Sequence, residues 1–241
     1  MRLHHWIVLG LLLAPQAATA ADPDPEIPVP ERLAKEVVFD PAIQKITIIT
    51  VKALAREPKL PTDEEKYKKF YAEAGVYMAY PLDVKLSADD EDYLVLRCDS
   101  GGSNDPQCVL SASQDPEQPG VAIPGTLFFI PGDGCVYSRG HTNNMFDARA
   151  LHCRKDGVLQ PVAQPFSYAG FQSKALRKLT LYADKQKSGI VTTIAPGGFV
   201  EVVLQDGDFF LLRNAFGLTG WAALENSQQA VDIEGFFYNG D

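Results

Sequence analysis

From Val76 to Phe171 the chain repeats one pattern, a short apolar-polar alternation broken by Gly, Pro, Asn or Asp, in VYMAY, YLVLRC, TLFFI, CVYS, FDARALHC, VLQPV and FSYAGF. Successive side chains of a strand point to opposite faces, so alternation of this period specifies half-buried strands rather than amphipathic helices. Four cysteines, Cys98, Cys108, Cys135 and Cys153, lie within the same region. In an oxidising compartment an even number reads as disulfides, and four cysteines leave three connectivities open. The local solution is favoured, Cys98 with Cys108 and Cys135 with Cys153. Zinc is the alternative, but it lacks any CxxC knuckle among these spacings.

The compartment is indicated by the first twenty residues, MRLHHWIVLGLLLAPQAATA. Arg2, an apolar run from Trp6 to Ala14 and Ala18-Thr19-Ala20 form a secretory signal peptide. The run falls short of the roughly 20 residues of a membrane-spanning helix, and no cysteine follows to take a lipid. The expectation is a periplasmic or secreted protein with no membrane span. With Arg2 removed, 21 of the 22 Lys and Arg remain against 31 Asp and Glu, a formal charge of −10. Such a chain as a whole repels nucleic acid and anionic membranes.

Residues 21–43 open with ADPDPEIPVPER, whose prolines remove backbone donors and fix φ, and are expected as an extended linker. Regular structure is expected from Gln44, where KITIITV is rich in β-branched residues. One helix is predicted after Pro61: Thr62 and Glu65 make a capping box, Tyr67, Phe70, Tyr71 and Ala74 form an apolar stripe, and Gly75 ends it. The acidic run Ser87 to Asp92 lacks the alternating oxygens and glycine of a calcium loop, so it reads as a solvated turn. No glycine-rich phosphate loop is present, and no cofactor or metal is expected.

The stretch from Cys135 to Cys153 contains the two histidines of the exported part. If it is a hairpin with Cys135 opposite Cys153, Val136 faces His152, Tyr137 faces Leu151, Arg139 faces Arg149 and His141 faces Asp147, with the turn at Asn143, Asn144 and Met145. Ser138 then points away from His141, which disfavours a local Ser-His-Asp triad. The histidines fall on opposite faces and make poor partners for one metal. His141, Asn143 and Asn144 remain as a polar tip, bland or able to contact a partner, and His141 with Asp147 remains a possible base.

Beyond Lys178 the chain reads LTLYADKQKSGIVTTIAPGGFVEVVLQDGDFFLLRNAFGLTGWAAL. Strands are expected at IVTTI, FVEVVL, DFFLLRN and LTGWAAL, separated by turns at Pro196-Gly197-Gly198, Asp206-Gly207 and Phe216-Gly217. Gly197 or Gly198, Val200-Glu201-Val202, Asp206 to Arg213 and Gly217-Leu218-Thr219-Gly220-Trp221 follow in the order and spacing of the bacterial SH3 family, which residues 179–224 resemble. The family's Arg-x-Gly-Pro after the first strand is missing from Leu179 to Lys185.

That resemblance implies a small closed barrel and a recognition role toward cell-wall peptides, glycans or proteins. A groove would be lined by Tyr182, Phe209, Phe216 and Trp221, flat amphipathic side chains that bind at low entropic cost. Alternation sends at least half of such aromatics inward, and it favours Trp221 as a core residue.

The fold expected is mostly β: a disulfide-stapled antiparallel domain with one short helix over 44–174, then an SH3-like barrel with a C-terminal tail over 175–241. The aromatics of IEGFFYNGD are expected to dock on the body. Three functions are compatible with these residues. A non-catalytic binding or adaptor protein of the cell envelope, with a cell-wall peptide or glycan or an envelope protein as partner, leads because no coherent catalytic set is visible. A secreted inhibitor or immunity-type protein would use the hairpin tip, and a hydrolase would use His141 and lacks an evident nucleophile.

Overall fold

The computed structural model describes residues 30–39, 45–60, 65, 69, 72, 73, 75–101, 105–112, 118–140, 145–227 and 230–238. Strands are numbered in chain order. A first six-stranded sheet runs β1 (Arg32–Val38), β2 (Lys45–Val51), β8 (Leu127–Ile130), β9 (Cys135–Gly140), β10 (Ala148–Lys155) and β11 (Val158–Pro161). A second, five-stranded sheet runs β3 (Ala55–Arg56), β4 (Met78–Val84), β5 (Leu94–Asp99), β6 (Gln107–Ser111) and β7 (Val121–Pro124). Together they form a sandwich.

Period-two patterning builds its core. In β2, Ile46, Ile48 and Thr50 point inward and are fully buried, while Lys45 is exposed. They meet Leu82, Val84, Leu96, Leu110 and Ile123 of the facing sheet in one apolar cluster. Cys98 and Cys108 are direct cross-strand partners on β5 and β6, joined by a disulfide wholly inside this cluster. The second disulfide joins Cys135 and Cys153, opposite each other on β9 and β10. The local connectivity is therefore the observed one.

Two expectations need correction here. Arg32–Val38, placed in the linker because of the prolines before it, is strand β1, paired with β2 from Arg32 opposite Val51 to Val38 opposite Lys45. Alternation in RLAKEVV turns Val37 into the core, and that burial outweighs the extended bias of the preceding segment. The acidic run is likewise more than a solvated turn. The Asp90 carboxylate accepts the Leu86 and Ser87 amides at 2.9 and 3.0 Å and pairs with Arg154 of β10, tying the two sheets together. Of the expected helix, most residues lie outside those described; Glu65, Lys69, Ala72 and Glu73 are helical.

The third sheet is also six-stranded and runs β12 (Ser167–Lys174), β15 (Phe199–Asp206), β16 (Phe209–Asn214), β17 (Thr219–Ala222), β13 (Leu179–Tyr182) and β14 (Ile190–Ile194). The strands expected at IVTTI, FVEVVL, DFFLLRN and LTGWAAL are β14 to β17. The closed barrel is not formed. Closure would need β14 beside β15, but β12 pairs along β15 from Ser167 opposite Gln205 to Lys174 opposite Phe199 and occupies that edge. The third sheet thus recruits residues N-terminal to Ala175.

One face of this sheet packs Leu181, Ile194, Val200, Val202, Phe210 and Leu212 into a second core. Beneath it lie the short pair β18 (Asn226–Ser227) and β19 (Ala230–Val231) and the segment that follows. Ile233 and Phe236 are buried, and the Glu234 amide donates to the Lys174 carbonyl at 3.0 Å. Phe236 sits edge-on to Phe210 at 5.4 Å and docks as expected, whereas Tyr238 of the same segment is exposed. Phe146, from the end of the β9–β10 hairpin, stacks on Phe236 at 6.1 Å and belongs to the same core.

Candidate functional site

The hairpin has the register anticipated from its cysteines: Val136 opposite His152, Tyr137 opposite Leu151, Ser138 opposite Ala150 and Arg139 opposite Arg149. Ser138 is buried on the core side. His141, Asn143 and Asn144 lie outside the described residues. Asp147, the expected partner of His141, accepts a hydrogen bond from Arg139 Nε at 3.0 Å. Arg149 turns the other way, where Nη1 donates to the Tyr168 carbonyl at 2.8 Å and its guanidinium lies 4.5 Å from the centre of the Tyr168 ring.

His152 is the one buried histidine described, and burial pushes its pKa below the usual imidazole range. Its Nδ1 has no hydrogen-bond partner among the described residues. It serves as a neutral core side chain. The described residues bring together no three His, Cys, Asp or Glu side chains able to hold a metal.

The aromatic candidates sit on the third sheet. Tyr182 and Trp221 are direct partners across β13 and β17, and Trp221 is in turn opposite Leu211 of β16. Phe210, Leu212 and Ala222 fill the core, so Leu211 and Trp221, one residue out of phase, face away from it. Trp221 is half-buried on the outer face, which corrects its assignment to the core. Both faces of these strands carry large apolar side chains, and alternation alone does not say which face is covered.

Pairing extends this rung across all six strands. Leu211 is opposite Leu204, Leu204 opposite Tyr168, and at the other end Tyr182 opposite Ile190. The row Tyr168, Leu204, Leu211, Trp221, Tyr182, Ile190 is therefore continuous on one face. Its ends are open, with Tyr168 50% and Ile190 66% exposed, and its centre is half-buried. Sequence reasoning missed Tyr168, Leu204, Leu211 and Ile190 as members, because the row exists only through long-range pairing.

Polar groups border the row. Lys185 pairs with Asp206 and lies 5.0 Å over the Trp221 ring. Arg213 donates through Nε to Glu201, its cross-strand partner, at 2.8 Å. Gly170 has φ +60, and a Cβ there would come within 2.6 Å of the Tyr168 ring. Only glycine lets that ring fold over the β12 backbone, within reach of Arg149.

Phe209 shares the outer face of Leu211 and Trp221, two residues before Leu211 on β16, and Phe216 stands apart from that face's row. Phe209 is half-buried at the β15–β16 end of the hairpin, whereas Phe216 stands at the β16–β17 turn. Phe216 is 92% exposed, held out by a turn in which its own amide and that of Leu218 both donate to Asn214 Oδ1 at 3.0 Å.

Compared with family models, curated proteins and solved structures, the chain gives no match in any of the three.

Proposed function

We propose that this is a non-catalytic binding protein of the cell envelope, exported to the periplasm or beyond, which recognises a cell-wall peptide or glycan, or an envelope protein, through its C-terminal SH3-like sheet. The observation that carries this reading is the outer row from Tyr168 to Ile190. Singly exposed apolar residues need no explanation, whereas a contiguous band rimmed by paired charges is the anatomy of an interaction surface. Its aromatic members offer large rigid contact area at small entropic cost. Two disulfides agree with an oxidising compartment, and among the described residues no helix is long and apolar enough to cross a membrane.

The test is co-sedimentation of the full chain with isolated cell-wall sacculi, compared with Tyr182→Ala/Trp221→Ala. Salt-resistant pelleting of the parent, lost in the double variant, is the expected result. A parent that stays in solution at every salt concentration removes the wall ligand, and equal pelleting of both chains removes the row.

A secreted inhibitor or immunity-type protein acting through the β9–β10 hairpin is the second reading. It is favoured by the hairpin's fixation at both ends, by Cys135–Cys153 at the base and Phe146 beyond the turn. Fixing a binding loop in advance lowers the entropic cost of association. Its test is His141→Ala/Asn144→Ala, which abolishes function under this reading and leaves it intact under the first.

A further inference from the structure

Where the hairpin meets the third sheet, a cleft of about 390 Å³ opens between Arg139, Asp147 and Arg149 on one side and Phe171 and Phe237 on the other, with Phe146 at its base. Its polar wall has an unusual charge pattern. Arg139 and Arg149 are direct cross-strand partners, and like charges placed opposite one another are destabilising unless compensated. One carboxylate, Asp147, serves the pair, and it takes its hydrogen bond from Arg139. Arg149 Nη1 lies 3.5, 2.8 and 3.4 Å from the carbonyls of Asp147, Tyr168 and Ala169, and the residue is exposed.

We propose that this cleft binds a monoanionic carboxylate that carries an apolar group. Two guanidinium groups and one carboxylate leave a local charge of one positive unit, within a chain whose formal charge is strongly negative. That balance matches a single carboxylate better than a doubly charged phosphate. The planar fork of a guanidinium fits a carboxylate with two parallel hydrogen bonds. The stack of Arg149 on Tyr168 fixes the orientation of its plane, so little freedom is lost on binding. Met145, Phe146, Phe171 and Phe237 supply apolar walls for the remainder of the ligand. The site adjoins the outer row at Tyr168, but its charged groups and apolar walls lie outside that row, and it stands whether or not the row binds the cell wall.

The experiment is titration of the full chain with N-acetyl-phenylalanine and with its neutral amide, followed by calorimetry and by chemical shifts of the Phe236 and Phe237 rings. The acid is expected to bind saturably and to weaken with added salt, and the amide to bind at least about tenfold more weakly, since it offers the guanidinium groups no charged partner. Asp147→Asn frees Arg139 and raises the local charge, so the acid is expected to bind about threefold more tightly, the scale of an exposed charge interaction. Arg139→Gln/Arg149→Gln is expected to abolish binding while thermal unfolding shows the chain still folded. Equal binding of acid and amide, no saturable binding of the acid, or no gain in Asp147→Asn would overturn the proposal. A tripeptide ending in phenylalanine distinguishes the source: tighter binding than N-acetyl-phenylalanine marks a peptide C-terminus, and equal binding marks a small acid.

Discussion

The sandwich encloses several ionisable groups, whereas among the described residues of the C-terminal sheet the one buried carboxylate is Glu201, paired across strands with Arg213. Asp83 is 1% exposed at its side chain and meets Arg56 at 3.0 Å, burial pushes Asp99 above the usual carboxylate range, and His152 is held neutral. In the third sheet Glu201 and Arg213, and Asp206 and Lys185, sit beside the aromatic row. Both disulfides belong to the sandwich, and the described residues contain no free cysteine. The two parts are therefore stabilised by different means. The sandwich relies on covalent ties and enclosed charge, and the sheet on an aromatic cluster shared with the hairpin and the C-terminal segment.

The largest effect expected is in that shared cluster. Phe236→Ala removes a ring that touches Phe146, Phe171 and Phe210, and a buried Phe→Ala change costs about 3–5 kcal/mol. Urea unfolding followed by Trp221 fluorescence should show the third sheet melting ahead of the sandwich. A single transition merely shifted to lower urea would mean that the two parts unfold as one unit.

Next comes Cys98→Ala/Cys108→Ala, expected to cost about 2–5 kcal/mol and to lower the sandwich transition while leaving the third sheet nearly unchanged. Near-ultraviolet circular dichroism, read during the same denaturation, separates the two.

Acid sharpens the contrast at about 2 kcal/mol, the scale of a charged hydrogen-bond network. Burial raises the Asp90 pKa, but the Arg154 hydrogen bond and the Ser87 and Leu86 amides outweigh it and hold the group below the usual carboxylate range. Its contribution is therefore present above the ordinary value of 3.8 and is lost as pH falls through the lowered one. His152, also lowered, costs stability earlier, as pH falls below its ordinary value of 6.5. Stability against pH should fall in two stages; Asp90→Asn should flatten the lower one and His152→Phe the upper one.

The smallest effect on stability is expected for Trp221→Ala, about 1 kcal/mol, because the ring is only half-buried. A loss of several kcal/mol in thermal unfolding would make the outer row a structural element rather than a binding surface.

Much of the local pairing was legible in the sequence. Two cysteines on a hairpin fix the sum of opposing residue numbers, so the β9–β10 register followed from arithmetic and period two. The four strands after Tyr182 followed from alternation between glycine turns, and the strand before them was implied by the family resemblance. What stayed hidden depends on contacts distant along the chain. Asp90 finds Arg154 sixty-four residues later, and an acidic run carries no sign of that partner. Phe209, Leu211 and Trp221 are as apolar as Phe210, Leu212 and Ala222, so only the arrival of Phe236 and Phe146 decides which face is inside. The seat of β12 beside β15 was equally invisible, because SYAGFQSK alternates as well as any strand of the sandwich.

That seat governs how the protein can be divided. A fragment cut at Leu179, where the family resemblance begins, would leave the whole edge of β15 unpaired, with Phe199, Leu204 and their neighbours beside open backbone groups. Such an edge is a template for a second chain, and the fragment should self-associate by strand addition. A divisible unit has to begin before Ser167 and run through Phe236, and even then it gives up Phe146. The boundary suggested by likeness and the boundary imposed by hydrogen bonding thus differ by at least a full strand, and an isolated piece cut at the former would report on its own aggregation instead of on recognition.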